Sequence, residues 1–230
     1  MGTTAAFPHP RPKRPPTKAL LIETAERLLG QHGINGISLR EIAEAAGQAN
    51  SNVVQYHFRD KAGLVSAILD DRVHRIEQLR REGLAQLEAS EAQDPRALLK
   101  VMWLPMMSIK DADGGHSFCR FLLQYMIQRN VAPHPIEKLY KASAKSGTGA
   151  DTDLPYLLKL NRLLRAQHES LPQAVFGRRL SMLSMMFLAS VVEHDNARLS
   201  GKIGSVRAFD IEPILDMAIG ALSVGARGRS

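Results

Sequence analysis

The stretch SLREIAEAAGQANSNVVQYHFRDKAGL, residues 38–64, decides the fold of the N-terminal part of this chain. Its first serine is followed three positions later by a glutamate, the capping-box pattern in which each side chain accepts a free backbone N–H at a helix start. Gly47 ends this first short helix, since glycine takes the left-handed backbone conformation at little cost. A second short helix is predicted from about Asn50 to His57, and a long one from Lys61. Two short helices around a tight glycine turn predict a helix-turn-helix.

A further helix is predicted upstream of this stretch. It begins at Thr17, places Leu21, Ala25 and Leu29 on one face, and ends at Gly33. Residues 17–62 are therefore predicted to form a small three-helix domain of the helix-turn-helix type, a motif common in DNA-binding domains. Residues 1–16 are rich in proline and end in basic side chains, a composition that does not build a core. We expect either a basic arm that reaches DNA or a solvated tail.

The remaining chain, residues 63–230, also has helical periodicity, and alternation of the kind that predicts strands does not extend to strand length. The sequence therefore predicts an all-α protein of about nine or ten helices, with a helix-turn-helix domain followed by a larger helical domain. A mobile loop is expected after residue 144. The predicted helices after the fourth span about 94–109, 116–130, 136–144, 153–168, 172–199 and 210–225.

Composition narrows the function. The 30 basic and 23 acidic residues give a net charge of +7, which suits a polyanionic partner but equally suits simple solubility. The single cysteine, Cys119, cannot form an intrachain disulfide, and the N-terminus does not read as a signal peptide. The longest apolar stretch, residues 180–192, is too short to span a bilayer. We therefore expect a cytoplasmic protein that is not inserted in a membrane.

The segment around the second short helix is dense in uncharged hydrogen-bonding side chains. Amide side chains can bind adenine edges in the major groove, while hydroxyl and cationic groups bind phosphates. The alternative is a solvated polar turn between helices. The predicted DNA-binding residues are Lys18, Ser38, Arg40, Gln48, Asn50, Ser51, Asn52, Gln55, Tyr56, His57 and Lys61.

The segment from Thr17 to Leu64 resembles the DNA-binding domain of the tetracycline-repressor (TetR) family. The matching positions are Ala25, Leu28, Leu29, Gly33, residues 38–43, Ala46, Gly47, residues 56–58, Lys61 and Leu64. The resemblance implies a homodimer that binds operator DNA, usually to repress transcription. It also implies phosphate contacts at Ser38 and Lys61.

This chain departs from the common TetR pattern between Gly47 and Phe58, where it is one residue longer. Counted back from Phe58, Gln55 takes the place of the family's usual tyrosine and Tyr56 lies beside it. Either side chain is therefore a candidate for the usual phosphate contact. We expect the turn to absorb the additional residue.

Residues 180–192 are apolar on almost every side of the predicted helix, so this helix must bury two faces. The resemblance implies that it pairs with the last helix, residues 210–225, and with the same helices of a second copy in a four-helix bundle. The alternative is a single core helix that is fully buried in its own chain.

The TetR resemblance also implies a cavity for a small-molecule effector among the middle helices. Methionine and aromatic side chains suit an adaptable, mostly apolar ligand site, although such a stripe is often plain core. His116, Arg120, Gln124 and Arg162 are candidate polar anchors. The predicted ligand-binding residues are Met102, Trp103, Met106, Phe121, Tyr125, Met126, Leu163 and Met186.

No catalytic motif, metal site or cofactor is expected. The sequence contains neither a nucleophile elbow nor a phosphate-binding glycine loop. Residues 193–195, Glu-His-Asp, cannot converge on one metal, because successive helical residues point about 100° apart. The first hypothesis is therefore a ligand-released repressor. Alternatives are an all-helical lipid or small-molecule binding protein or enzyme without DNA-binding activity, and a helical protein-interaction module.

Overall fold

The computed structural model describes residues 17–90, 93–128, 155–201 and 208–225, and all regular structure within them is helical. The predicted all-α architecture is confirmed. The predicted arm 1–16, the short helix 136–144 and the loop that follows it lie outside the described residues. The helices are α1 (Thr17–His32), α2 (Leu39–Ala45), α3 (Val53–Phe58), α4 (Lys61–Ser90), α5 (Pro95–Trp103), a 3-10 helix (Leu104–Ser108), α6 (Ser117–Ile127), α7 (Tyr156–Ala166), α8 (Gln173–Leu199) and α9 (Glu212–Ser223).

The start of α2 has the predicted capping box. The Ser38 hydroxyl accepts the Glu41 N–H at 3.2 Å, and the Glu41 carboxylate accepts the Ser38 N–H at 2.8 Å. The Ser38 hydroxyl also donates to the Glu41 carboxylate at 2.7 Å, and this bond, together with the Ser38 N–H, lowers the pKa of Glu41. Gly33 and Gly47 both have positive φ, +79° and +65°, which places a left-handed residue at the end of α1 and of α2.

Two predicted helix boundaries are wrong. α3 begins at Val53 rather than Asn50, because the Asn50 side chain accepts the Asn52 N–H at 2.9 Å and holds residues 50–52 in a turn. α5 ends at Trp103 rather than near 109. Pro105 lacks the N–H that an α-helix needs, and the chain tightens into the 3-10 helix.

α1 packs most extensively against α6, so the N-terminal helices lie directly on the C-terminal domain. The approach is close at Gly30, where an added Cβ would lie 3.0 Å from the Phe121 backbone nitrogen. A buried Glu26 on α1 accepts a hydrogen bond from Arg72 of α4 at 2.7 Å and another from the Ser117 hydroxyl of α6. Three helices therefore meet at one buried carboxylate.

In the C-terminal domain α8 packs mainly against α6 and α9, while α4, α5 and α7 pack on one another. The indole ring of Trp103 on α5 stacks on the ring of Phe187 on α8, with centroids 5.4 Å apart. The outer faces of α8 and α9 leave Met182 60% and Met217 52% exposed. Among the described residues, α8 is the one helix long and apolar enough to cross a membrane by length and composition, a test that core helices of soluble proteins also pass.

Candidate nucleic-acid interface and ligand cavity

The face around α3 presents polar side chains to solvent. Asn50, Ser51, Asn52, Gln55 and Tyr56 are exposed, and Tyr56 is 85% exposed. Val54 and Phe58 point the other way and are buried in the N-terminal core. The predicted DNA-binding segment therefore consists of a turn, residues 50–52, followed by a short helix, rather than one helix from Asn50 to His57.

Two of the residues predicted to bind DNA are less accessible to solvent than the others. Gln48 is half-buried, and its amide donates to the Ala46 carbonyl at 3.2 Å. His57 is half-buried, with its ring edge-on to Tyr56 at 5.1 Å between centroids. Residues 48–52 lie between Gly47 and the start of α3, outside both helices.

The basic and hydroxyl groups predicted to bind phosphates surround this face. Lys18, Ser38 and Arg40 are exposed. The Nε of Arg40 donates to Glu44 at 2.8 Å, and this contact raises the pKa of Arg40. The Lys61 ammonium donates to the Ile37 carbonyl at 2.6 Å and so ties the start of α4 to the turn before α2. Lys61 therefore has a structural contact that the sequence did not predict.

The turn between α3 and α4 is strained. Arg59 has φ of +71° and ψ of −55°, and the Asp60 N–H donates to the Phe58 carbonyl at 2.9 Å, which defines a γ-turn. The Asp60 carboxylate then accepts the Gly63 N–H at 2.7 Å in the first turn of α4. This turn fixes the direction in which α3 leaves the body of the protein.

A cavity of about 430 Å³ lies inside the C-terminal domain. Most of its wall is apolar, and α4, α5, α6, α7, α8 and the 3-10 helix all contribute to it. The lining residues among those described are Val73, Ile76, Arg80, Met102, Trp103, Met106, Phe118, Leu122, Tyr125, Met126, Leu157, Asn161, Ser184 and Leu188.

Five of the eight predicted ligand-binding residues lie in this wall: Met102, Trp103, Met106, Tyr125 and Met126. The other three do not. Phe121 is fully buried but belongs to the face of α6 that packs on α1. Leu163 and Met186 are half-buried against the core beyond the wall. Leu157 and Asn161, one helical turn apart, are the residues that α7 contributes.

The predicted polar anchors also lie elsewhere. Arg120 donates to the Asn196 side chain at 2.7 Å, and Arg162 is exposed. Gln124 does not line the cavity. His116 binds Asp195 of α8 through its ring, at 3.0 Å, and through its backbone N–H, at 2.6 Å. Burial would raise the pKa of Asp195, but these hydrogen bonds outweigh it and lower that pKa.

The charged group that does reach the cavity is Arg80. Its Nε and Nη2 donate to the Met102 carbonyl at 3.1 and 2.8 Å, and its Nη1 donates to the Glu77 carboxylate at 2.9 Å. Burial lowers the pKa of Arg80, and Glu77 opposes that effect. The other Glu77 oxygen accepts the Tyr156 N–H at 2.6 Å, so the pair also holds the start of α7.

The described residues contain no group of three side chains that could hold a metal ion. Of residues 193–195, Asp195 instead pairs with His116 inside the protein. Cys119 is buried, and burial raises the pKa of its thiol. That environment suits the interpretation of Cys119 as a small core side chain.

In a comparison with known protein families, the N-terminal domain of this chain matches a family of regulators. The family model for bacterial regulatory proteins, tetR family, matches residues 21–68. The HTH-type transcriptional regulator TtgR of Pseudomonas putida is 32% identical over 92 residues, which is 40% of this chain and 41% of that protein. The chain thus matches about two fifths of the length of this curated relative.

A similar solved structure is the crystal structure of the TetR family transcriptional regulator PfmR from Thermus thermophilus. It is 16% identical, with a TM-score of 0.45, and the match covers 90% of this chain and 96% of that one.

Proposed function

We propose that the protein is a cytoplasmic transcription regulator of the tetR family that binds operator DNA as a homodimer, because the family model matches residues 21–68 and a curated regulator is 32% identical over 92 residues. It represses its target genes and leaves the DNA when a small, mostly apolar effector binds. The observation that supports this most directly is the exposed polar face of residues 50–56, backed by a buried apolar core.

Within that face, Asn52 and Gln55 are the residues we assign to base recognition. Both are exposed, and Asn52 makes no capping bond with its side chain, so its amide is available to a base edge. Lys18 and Arg40 supply exposed cations beside it for phosphates. Tyr56, with its ring almost fully exposed, is the candidate for the phosphate contact that the family usually makes through tyrosine.

A second copy would cover the apolar outer faces of α8 and α9. Met182 and Met217 are exposed in the single chain, and an exposed apolar face of this kind marks an association surface. A two-fold dimer would present two α3 helices to major grooves about 34–36 Å apart on one side of a duplex. Light scattering should give the mass of a dimer, and Met182→Glu with Met217→Glu should give a monomer.

The effector would act through helices that touch both the cavity and the N-terminal domain. On α4, Val73 lines the cavity while its neighbour Arg72 binds Glu26 of α1. On α6, Phe118 lines the cavity while its neighbour Ser117 donates to the same carboxylate. A ligand that moves either wall would therefore act on α1. For this to release DNA, it must bind the two arrangements with different affinity.

DNA binding tests the proposal. Titration of fluorescent duplex from upstream of the protein's own gene should show affinity that falls steeply with salt. Asn52→Ala and Gln55→Ala should each lose about 1–3 kcal/mol of discrimination between that duplex and random DNA. Lys18→Ala should weaken both and lower the salt slope by about one. Lys18 is chosen over Lys61 because Lys61 also holds the start of α4.

Gln78→Ala is the matched control, since Gln78 is an exposed glutamine on α4, remote in sequence from the polar face of residues 50–56. It should bind both duplexes as the unmodified protein does. The proposed mode of recognition would be wrong if no duplex bound at low salt. It would also be wrong if Asn52→Ala and Gln55→Ala lost affinity equally on specific and random DNA. A protein that retained lipid but ignored DNA would favour the carrier hypothesis.

A further inference from the structure

The polar groups of the cavity wall differ in whether they already have hydrogen-bond partners within the protein. Two donors of the wall already have acceptors within the protein: Trp103 donates its indole N–H to the Ser184 hydroxyl at 3.2 Å. Arg80 donates to Met102 and Glu77. A ligand therefore does not need to supply an acceptor for the indole, and it would compete with existing partners for the guanidinium.

One hydrogen-bond acceptor of a residue in the same wall, on Asn161, has no such partner within the described ranges. The side-chain oxygen of Asn161 is buried and has no hydrogen-bond partner among the residues that the structure describes. A buried amide oxygen without a donor is unfavourable compared with the same group in water. If the amide of Asn161 turns toward the cavity that this residue lines, a hydrogen-bond donor on a ligand would satisfy the oxygen.

The charge of the wall is already balanced. Arg80 is the cationic residue among the described lining residues, and Glu77 contacts it at 2.9 Å. Both side chains are largely buried, so the pair is close to neutral as seen from the cavity. An anionic ligand would lose its hydration without gaining an unpaired cation, which is costly in a low-dielectric site.

The rest of the wall favours an aromatic or otherwise flat apolar group. Trp103 is supported from behind by Phe187, which stacks on its ring at an interplanar angle of 15°. Phe118, Met102 and Met106 complete an apolar surface of aromatic rings and polarizable thioethers.

We propose, on the basis of the effector function proposed above, that the cavity selects an uncharged molecule with an apolar ring and a hydrogen-bond donor that binds the Asn161 side-chain oxygen. Three probes of matched shape test this selectivity: para-butylphenol carries a neutral donor, para-butylanisole lacks the donor, and para-butylbenzoate carries a negative charge. Trp103 is the only tryptophan in the chain and lines the cavity, so its fluorescence reports occupancy directly.

The full-length protein should bind the phenol about tenfold more tightly than the anisole, and the benzoate at least about tenfold more weakly than the phenol. Asn161→Leu should reduce phenol affinity to the level of the anisole while leaving anisole binding unchanged, which shows that the variant is folded. Arg162→Leu, at the neighbouring exposed position, is the control and should keep the preference.

Tightest binding of the benzoate would overturn the charge argument. Equal binding of phenol and anisole, or an unchanged preference in Asn161→Leu, would overturn the donor requirement. Failure of all three probes to change Trp103 fluorescence or the Tm would overturn the inference as a whole. None of these results bears on operator binding, which is measured without a ligand, so the two proposals fail separately.

Discussion

Two buried glutamate–arginine pairs lie along α4, and they hold different parts of the molecule together. Glu26 and Arg72 join α4 to α1 of the N-terminal domain, at 2.7 Å. Glu77 and Arg80 lie two turns further along, at 2.9 Å, and join α4 to α5 and α7 around the cavity. The same kind of ion pair thus stabilises the contact between the domains in one case and the wall of the cavity in the other.

The two arginines differ in how far they are isolated from water, whereas the carboxylates differ the other way, with Glu26 2% and Glu77 13% exposed. The side chain of Arg72 is 19% exposed and also contacts Asp71 at 3.0 Å, so it keeps a second partner and some hydration. The side chain of Arg80 is 6% exposed, and its other partner is a backbone carbonyl. Loss of the contacts made by the arginine should therefore cost more at the cavity than at the domain contact.

The largest expected effect follows from Arg80→Met. The substitution keeps an unbranched apolar stem but removes the charged partner of the Glu77 carboxylate and the two donors of the Met102 carbonyl. We expect a loss of about 3–5 kcal/mol in the free energy of unfolding, measured by urea denaturation. Unfolding should remain one cooperative transition, since the affected contacts lie within the C-terminal domain.

Arg81→Met is the matched control, because Arg81 is the next residue on α4 and is exposed. It should leave the denaturation midpoint almost unchanged. The double variant Glu77→Leu with Arg80→Met should recover only part of the loss, because Glu77 also accepts the Tyr156 N–H at the start of α7. A loss in Arg80→Met no larger than in Arg81→Met would remove the proposed difference between the pairs.

A smaller effect is expected from Glu26→Gln. The amide keeps the shape of the carboxylate and can still accept from Ser117, but Arg72 loses its buried charged partner and keeps only the exposed Asp71. We expect about 1–3 kcal/mol of destabilisation. Because this contact joins α1 to α4 and α6, its loss should uncouple the unfolding of the two domains. Calorimetry should then show a broadened transition with a van't Hoff enthalpy below the calorimetric one.

Glu23→Gln provides the comparison, since Glu23 is exposed on the same helix. Its transition should match that of the unmodified protein in both midpoint and width. A sharp two-state transition in Glu26→Gln, merely shifted in temperature, would mean that the carboxylate stabilises the protein without specifically joining the two domains.

Neither pair could be predicted from the sequence. Periodicity marks charged residues as exposed, and nothing local separates Arg80, which is buried, from Arg81, which is exposed. The partners of Glu26 lie 46 and 91 positions away along the chain. Burial of these charges depends on which helices meet, which is a property of the tertiary structure.

The N-terminal helices were predictable because local signals coincide there: the capping box at Ser38, the glycine turn at Gly47 and the apolar face of α1. The start of α3 was misplaced because Asn50 competes for backbone hydrogen bonds. The cavity was predicted in part. Residue type identified Met102 and Trp103, but the face that α7 turns inward, with Leu157 and Asn161, depends on packing that periodicity does not determine.

The smallest effect on stability, and the sharpest contrast with the buried pairs, is expected from Arg40→Ala. Arg40 pairs with Glu44 one turn along α2, but the two side chains are 77% and 56% exposed, so water and salt screen the contact. We expect no measurable change in Tm. Operator affinity should nevertheless fall at low salt, because the same exposure leaves the guanidinium able to bind a phosphate beside α3. A drop in Tm with unchanged DNA affinity would reverse this assignment and give the surface pair a structural function instead.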